Sequence, residues 1–162
     1  MASSSFQPPP CTCSTYDVII SFRGKDTRTR FTDHLYKALK DQSIRMFRDD
    51  SDLERGRTIW TELVQAIETS RIAVIVFSKN YANSRWGLDE LVVIIDCRSS
   101  TGKCKCNQTL TLLPIFYEVS PSEVREQKGN FAKALPKGPK KKWKEALTES
   151  AKLSGFPLKK DR

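Results

Sequence analysis

The sequence predicts a doubly wound α/β sandwich around a parallel sheet, and three observations carry this prediction. The 162 residues are enough for one domain of ordinary size. Apolar runs typical of strands alternate with segments of helical periodicity. The run IAVIVF at residues 72–77 lacks polar alternation, which is typical of a central parallel strand. We therefore expect one domain over residues 15–156, a flexible tail at 1–14 and a basic tail at 157–162.

Local patterns predict the individual elements. Short apolar runs predict strands at residues 16–21, 44–47, 72–77 and 110–117. Helical spacing and stop signals predict helices over 27–40, from 58, from 83 or 84 to about 98, around 122–127, and over 140–154. The first helix is indicated by Phe31, Leu35 and Leu39, which recur every four residues. Thr58 and Asn83 or Ser84 are suited to cap the next two helices.

The composition limits where the protein works. The longest apolar run, at residues 72–77, is far shorter than the roughly 18 residues that a membrane helix needs. The first fifteen residues carry neither a basic start nor an apolar core, which argues against a secretory signal. We expect a cytosolic protein, with the nucleus as a further location, and no membrane partner.

Basic residues are concentrated at the C-terminal end. Residues 128–162 hold 11 basic and 3 acidic side chains, a net charge of +8 out of +9 for the chain. This segment could attract phosphates, anionic lipid or an acidic partner, and a solvated lysine-rich helix face is the simpler interpretation. Nothing in it resembles a motif that reads bases, so nucleic-acid binding is the weakest function hypothesis.

The cysteines and the one histidine restrict the possible chemistry. A chain without a signal peptide is expected to keep its thiols reduced. The five cysteines are Cys11, Cys13, Cys97, Cys104 and Cys106. Parallel topology brings the segments before the first and fourth strands to one end, so two Cys-x-Cys pairs could meet there around a metal or a redox crosslink. Mobile free thiols are the simpler interpretation, and we predict no metal site.

Loops at the carboxyl ends of the strands are where a parallel sheet places its ligands. They are residues 22–27, 48–57, 78–85 and 118–124. The first loop precedes a helix and contains Gly24, but it matches neither the dinucleotide-binding nor the P-loop fingerprint.

Four strings in these regions resemble plant Toll/interleukin-1 receptor (TIR) domains. They are YDVIISFRGKDTRTRFTDHLYKAL, DLERG, SKNYANSRWGLDEL and LPIFYEVSPSEVREQKGNF, in the order and spacing of that family over about residues 16–155. The resemblance implies a flavodoxin-like sandwich with a five-stranded parallel sheet, the TIR fold. It also implies NAD⁺ cleavage by self-associated domains in plant immune signalling. No nucleotide-binding or leucine-rich segment follows residue 162, which is what a TIR-only protein or an isolated TIR domain would show.

The resemblance assigns roles to single positions of this sequence. Glu90 matches the catalytic glutamate of the family, with Ser84 and Trp86 beside it. Phe22, Arg23 and Gly24 match positions that line the nucleotide pocket. Residues that match the mobile gating and assembly loop are Asp52, Leu53, Glu54, Arg55 and Gly56. Asp33 and His34 match a pair that many members use for association between helices. NAD⁺, with NADP⁺ as a further substrate, and other TIR proteins are the implied partners, and no cofactor is expected.

The chemistry of the implied reaction needs one carboxylate. Cleaving the bond between nicotinamide and ribose generates an oxocarbenium-like cation, which an anion stabilises. Nicotinamide leaves as a neutral molecule and needs no proton, so a general acid is dispensable.

Three departures from the family pattern favour a rival function. Lys25 stands where the family usually has Glu, Gly87 stands where it usually has Cys, and the link before the last helix is short. Glycine in a helical turn costs up to ~1 kcal/mol relative to alanine, so Gly87 is expected to loosen the helix that carries Glu90. The alternative is a non-catalytic interaction module that lends its surfaces to other TIR proteins.

Overall fold

A computed structural model describes residues 16–23, 26, 31–50, 57–99, 110–153 and 155–158. The strands are β1 (Val18–Phe22), β2 (Met46–Asp50), β3 (Ile72–Phe77), β4 (Thr111–Tyr117) and β5 (Phe156–Leu158). The helices are α1 (Asp33–Asp41), α2 (Arg57–Thr69), α3 (Arg85–Ser99), α4 (Pro121–Glu126), α5 (Gly129–Ala134) and α6 (Lys141–Ala151). A 3₁₀ turn at Tyr81–Asn83 leads from β3 into α3.

The five strands form one parallel sheet in the order β2-β1-β3-β4-β5. Val18 pairs with Met46 on one side and with Ile72 on the other, so β1 and β3 are central. The chain starts in the middle of the sheet, runs to one edge and then crosses to the other side. This is the doubly wound order, and it confirms the predicted five-stranded α/β sandwich.

Helices cover both faces of the sheet. On one face, Ile19, Ile75 and Phe77 join a large core with residues of α2, α3 and α6. On the other face, Ile20 and Val76 join a smaller core against α1. Neighbouring residues of a strand point to opposite faces, so a strand buried on both sides needs apolar residues throughout. This explains the uninterrupted IAVIVF of β3.

The first three helices pack apolar side chains against the two cores. Leu35 and Leu39 of α1, and Phe31 just before this helix, pack against the smaller core. Leu63 and Ile67 of α2 are fully buried. In α3 the fully buried apolar residues are Leu88, Leu91 and Ile94.

Two elements were not predicted from local sequence patterns. The helix α5 is only 6 residues long, and it adds the fully buried Phe131 to the large core, with Ala134 packed against that core. The strand β5 has 3 residues, and its Pro157 pairs with Phe116 at the edge of the sheet, where a missing N–H is tolerated. The sheet thus continues through Pro157 and Leu158, two residues into the segment expected to be the basic tail.

Within the part of the chain that the structure describes, no helix combines the length and the apolar character required to cross a membrane.

Candidate active site

Glu90 lies one and a half turns into α3 and is fully buried. Its Oε2 accepts a hydrogen bond of 2.9 Å from the hydroxyl of Ser21, in the middle of the sheet on β1. The other carboxylate oxygen, Oε1, is buried as well. A charged residue type inside a core is rare without a function or a dedicated set of partners. Glu90 is therefore the first residue to consider for chemistry.

Tyr81 joins this carboxylate network from the 3₁₀ turn. Its hydroxyl lies 3.0 Å from the Ser21 hydroxyl and 3.3 Å from the carbonyl oxygen of Gly87 in α3. Tyr81 and Ser21 are both fully buried. The three side chains come from β1, the 3₁₀ turn and α3, so the network ties the start of α3 to the centre of the sheet.

Asp26 connects the loops that follow β1 and β3. Its carboxylate accepts a hydrogen bond of 2.6 Å from the Ser78 hydroxyl, and bonds of 2.9 and 3.2 Å from the backbone and side-chain nitrogens of Asn80. In the opposite direction, the guanidinium of Arg23 donates to the carbonyl oxygen of Asn80 at 3.3 Å. These bonds fix the segment that leads directly into Tyr81.

The first turn of α3 is built from the predicted residues Ser84 and Trp86 and from Gly87. The Ser84 hydroxyl accepts a hydrogen bond of 3.1 Å from the backbone N–H of Gly87, which is the N-cap arrangement predicted from the sequence. The half-buried ring of Trp86 meets the ring of Trp60 on α2 edge to face, with centroids 4.9 Å apart. The cap and the ring pair fix the orientation of the helix that carries Glu90.

The predicted pocket residues on β1 have different environments. Phe22 is 1% exposed and belongs to the small core on the α1 face, so its ring does not face solvent. Arg23 is half-buried and bonded to the loop after β3, next to the Glu90 network. Arg23, Ser84, Trp86 and Glu90 thus lie on the segments that follow the carboxyl ends of β1 and β3. Phe22 is part of the support beneath them.

Asp33 and His34 are exposed at the start of α1, a position compatible with the predicted interface. Asp33 pairs with Arg48 of β2 at 3.4 Å. The Arg48 guanidinium also lies 4.6 Å from the ring centre of Tyr36 and 5.7 Å from that of Phe22. Arg48 therefore connects the exposed face of α1 with the end of β1.

Several predicted positions lie outside the described residues. They are Gly24, Lys25, the gating loop Asp52, Leu53, Glu54, Arg55 and Gly56, and the cysteines Cys11, Cys13, Cys104 and Cys106. Cys97 is half-buried on α3. Among the residues described, no three side chains of the metal-binding types come together.

The basic C-terminal segment forms an exposed helix face where it is described. Lys141, Lys142 and Lys144 are exposed on α6, and Lys141 lies 3.8 Å from Glu145 one turn later. The Lys140 ammonium lies 5.2 Å from the ring centre of Trp143. This geometry agrees with the simpler interpretation of a solvated lysine-rich surface.

Sequence reasoning missed Ser21, Asp26 and Tyr81. One signal was available for Ser21, because a lone hydroxyl in the otherwise apolar run VIISF needs a buried partner. Tyr81 gave no such signal, since tyrosine is intermediate between the typically buried and the typically exposed residue types. The contacts that give these residues a role join positions 52 to 69 residues apart, which a local pattern does not reveal.

Comparisons with known proteins agree with this architecture. The sequence model of the TIR domain matches residues 15–161. Disease resistance protein RPV1 of Vitis rotundifolia is 51% identical over 167 residues, which cover 99% of this chain and 11% of that protein. TMV resistance protein N of Nicotiana glutinosa is 46% identical, over 91% of this chain and 13% of that protein. The chain thus spans only about a tenth of the length of these relatives.

A solved structure supports the same assignment. It is the TIR-domain part of the activated Roq1 resistosome that directly recognises the pathogen effector XopQ. Its chain superposes with a TM-score of 0.73 at 45% identity, and the match covers 88% of this chain and 87% of that one. By sequence and by fold, this chain belongs to the TIR domain family and is similar to plant disease resistance proteins.

Proposed function

We propose that the chain is an NAD⁺ nucleosidase that releases nicotinamide and acts through self-association in plant immune signalling. The observation that carries this proposal is Glu90, a buried carboxyl group held by Ser21 at the carboxyl end of the central strand β1. In a doubly wound sheet this is the edge where substrates bind. We assign NAD⁺ or NADP⁺ as substrate, the cytosol or nucleus as location, and other TIR domains as partners.

In this proposal Glu90 supplies negative charge where positive charge develops. As the bond to nicotinamide breaks, the ribose carbon becomes cationic, and a carboxylate beside it lowers the energy of that state. Ser21 positions the carboxylate through its hydrogen bond to Oε2. Trp86 is one turn before Glu90 on the same side of α3 and offers an aromatic surface for a ring of the substrate.

Full burial of Glu90 requires that the site open before catalysis. A carboxylate with no exposed surface has no direct route to a substrate in solution. We assign this opening to self-association, which would make catalysis depend on assembly. The similarity to a TIR domain from an activated resistosome supports such an arrangement.

The test is nicotinamide release from NAD⁺ by the purified chain at high protein concentration. We expect release by the wild-type chain, and its loss in Glu90→Gln, which keeps the side-chain shape but cannot supply a negative charge. Glu62→Gln on α2 is the control, because that carboxylate is exposed and lies on a different helix from Glu90. Turnover by a folded Glu90→Gln chain would refute the catalytic assignment.

The second candidate function is a non-catalytic interaction module. It is favoured by the burial of Glu90, since a carboxyl group with a purely structural role does not need to be accessible to a substrate. This function predicts that the wild-type chain releases no nicotinamide at any concentration. It also predicts that Glu90→Gln associates with a second TIR domain as tightly as the wild type does.

A further inference from the structure

Two tryptophan rings meet beside the candidate active site, and each of them is half-buried. Trp60 lies in the first turn of α2, and Trp86 lies in the first turn of α3. These helices follow β2 and β3 in the chain, so their first turns lie on the side of the sheet where the strands end. A doubly wound sheet binds its ligands on this side. The two rings therefore offer an aromatic surface where a substrate is expected.

The two rings form a corner. Their centroids are 4.9 Å apart and their planes are at 80°, so the edge of one ring meets the face of the other. A flat ring placed in such a corner can stack on one indole and present its edge to the other. Offset stacking and edge-to-face contact are the two arrangements that aromatic rings prefer. The pair thus suits a planar ligand better than a single indole does.

The third tryptophan of the chain has a different environment. Trp143 is 1% exposed, and its indole N–H donates to the carboxylate of Asp89. The guanidinium of Arg85 lies 5.7 Å from the centre of this ring, so the cation directly before Trp86 is held at Trp143. Trp143 is thus an internal reference for a tryptophan that belongs to the core and has almost no surface to offer a ligand.

The distance from Glu90 decides which ring of the substrate suits this corner. The bond to be broken joins a ribose carbon to the nicotinamide nitrogen, so nicotinamide is the ring beside the carbon that Glu90 must approach. Trp86 is one turn before Glu90 on the same side of α3, and residues at this spacing are about 5–6 Å apart. Before cleavage this ring is a pyridinium cation, and the face of an indole attracts cations more strongly than other aromatic side chains do.

Access to the corner differs from access to the carboxylate. Glu90 has no exposed surface, whereas Trp60 and Trp86 are half-buried. A ligand in solution can therefore reach the two rings in the conformation in which Glu90 is still covered. Recognition of the ring can precede the opening of the site.

We propose that Trp60 is a further substrate-binding residue, which with Trp86 receives the cationic nicotinamide ring before the site opens around Glu90. The proposal rests on the proposed function for the identity of the substrate. When the bond breaks, its electron pair moves to the nicotinamide nitrogen and the ring becomes neutral. The attraction to the indole faces then falls, which favours release of the product.

A titration followed by nuclear magnetic resonance tests the corner in the wild-type chain at low protein concentration. The probe is 1-methylnicotinamide, which carries the same cationic ring without a bond to ribose. We expect the indole N–H signals of Trp60 and Trp86 to shift and saturate, while that of Trp143 stays in place. Neutral nicotinamide should bind about two- to fivefold more weakly, the factor for a cation–π contact at an exposed site. Unshifted Trp60 and Trp86 signals, or equal affinities for the two compounds, would overturn the proposal.

Substitutions of Trp60 test its own contribution. Trp60→Leu removes the aromatic face, so the shift of the Trp86 signal should require more 1-methylnicotinamide, and Trp60→Phe should restore part of the affinity. Trp60→Phe also assigns the Trp60 signal. Val64→Ala is the matched control, because Val64 is half-buried one turn further along α2 and should leave the affinity unchanged. Wild-type affinity in Trp60→Leu would show that Trp60 does not bind the ring. If Trp60→Leu does not fold, the wild-type titration decides.

Kinetics separate this proposal from the proposed function. For a chain that cleaves NAD⁺, Trp60→Leu should raise KM and leave kcat nearly unchanged, since the contact is made before the bond breaks. The titration uses a compound that is not cleaved. A chain that binds it but releases no nicotinamide from NAD⁺ would refute the proposed function and leave the binding corner intact. Nicotinamide release by a chain whose Trp60 signal does not shift would overturn only the role of Trp60.

Discussion

The indole nitrogen of Trp143 donates a hydrogen bond of 2.8 Å to the carboxylate of Asp89. Trp143 is almost fully buried on α6, and Asp89 directly precedes Glu90 on α3. The last helix of the domain is therefore joined by a charge-assisted hydrogen bond to the helix that carries the candidate catalytic residue.

We expect this bond to contribute about 1.5–3 kcal/mol, the range for hydrogen bonds to charged groups. A double-mutant cycle with Trp143→Phe and Asp89→Asn, read out by urea unfolding, measures their coupling. Trp143→Phe also loses ring volume, but the cycle cancels that loss. Additive effects of the two substitutions would show that the bond contributes nothing to stability.

We expect Asp26 to have a local stabilising effect on the loop before Tyr81. Its carboxylate accepts three hydrogen bonds, so removing it should lower the free energy of unfolding by about 2–3 kcal/mol. Amide hydrogen exchange over residues 78–84 should become faster. Asp26→Ala is therefore compared by hydrogen exchange with Asp17→Ala, whose carboxylate also accepts three bonds, all from Arg45. Equal exchange in the two variants over residues 78–84 would contradict a local role for Asp26.

Asp17 makes part of the stability depend on pH. Hydrogen bonds from Arg45 hold the pKa of Asp17 below its ordinary value of 3.8, although burial acts in the opposite direction. Because the pKa is lowered in the folded chain, this stabilisation is complete above 3.8 and is lost as the pH falls through the folded pKa.

Asp17→Asn should therefore lower the free energy of unfolding at neutral pH by up to about 1 kcal/mol, the range for a pair that is largely exposed. The difference from wild type should shrink in strong acid. Asp41→Asn, at an exposed aspartate of α1, is the control in the same urea titrations. A deficit of Asp17→Asn that is the same in acid and at neutral pH would exclude this linkage.

Gly155 is required by the close approach of β5 to β4. A Cβ atom there would clash with the carbonyl oxygen of Pro114, which is a backbone atom and cannot rotate away as a side chain could. We expect Gly155→Ala to destabilise the domain by about 1–3 kcal/mol, as overpacking does. Gly138→Ala is the control, since a Cβ atom there meets nothing within 4 Å. Its only expected destabilisation is about 1 kcal/mol, because alanine disfavours the positive φ of 64° at this position. A lower unfolding temperature for Gly138→Ala than for Gly155→Ala would contradict the clash.

His34 should affect activity only through association. If assembly opens the site, nicotinamide release per molecule should rise with protein concentration, and His34→Ala should lower it without changing the unfolding midpoint. Lys37→Ala, at another exposed position of α1, is the control. Activity per molecule that stays constant from dilute to concentrated solution would argue against assembly-dependent catalysis.

The fold was predictable where burial dictates residue type. The uniformly apolar run of β3 and the stripe of Phe31, Leu35 and Leu39 predicted the correct strand and the helix α1, because these residues pack in or against the two cores. The polar end of β2, Arg48–Asp50, was not predicted as strand, since an edge strand needs few apolar side chains. The 3 residues of β5 are too few to form a pattern.

The candidate site was predictable only in part. Glu90 was identified by resemblance to a family, because a single glutamate on a helix has no local pattern that distinguishes it from a surface residue. Its partners Ser21 and Tyr81 depend on the packing of β1 against the 3₁₀ turn. That packing is decided by the whole fold.

The contact between Trp60 and Trp86 gives the domain an optical reporter of its own. Indole rings with centroids 4.9 Å apart and planes at 80° are close enough for their electronic transitions to couple, so the pair should contribute a signed doublet to the ultraviolet circular dichroism. Trp86 is one turn from Glu90, so any opening of the site that turns this ring changes the doublet. The third tryptophan, Trp143, is packed on α6 and contributes a constant background. The conformational state of the site can therefore be followed in solution without a label.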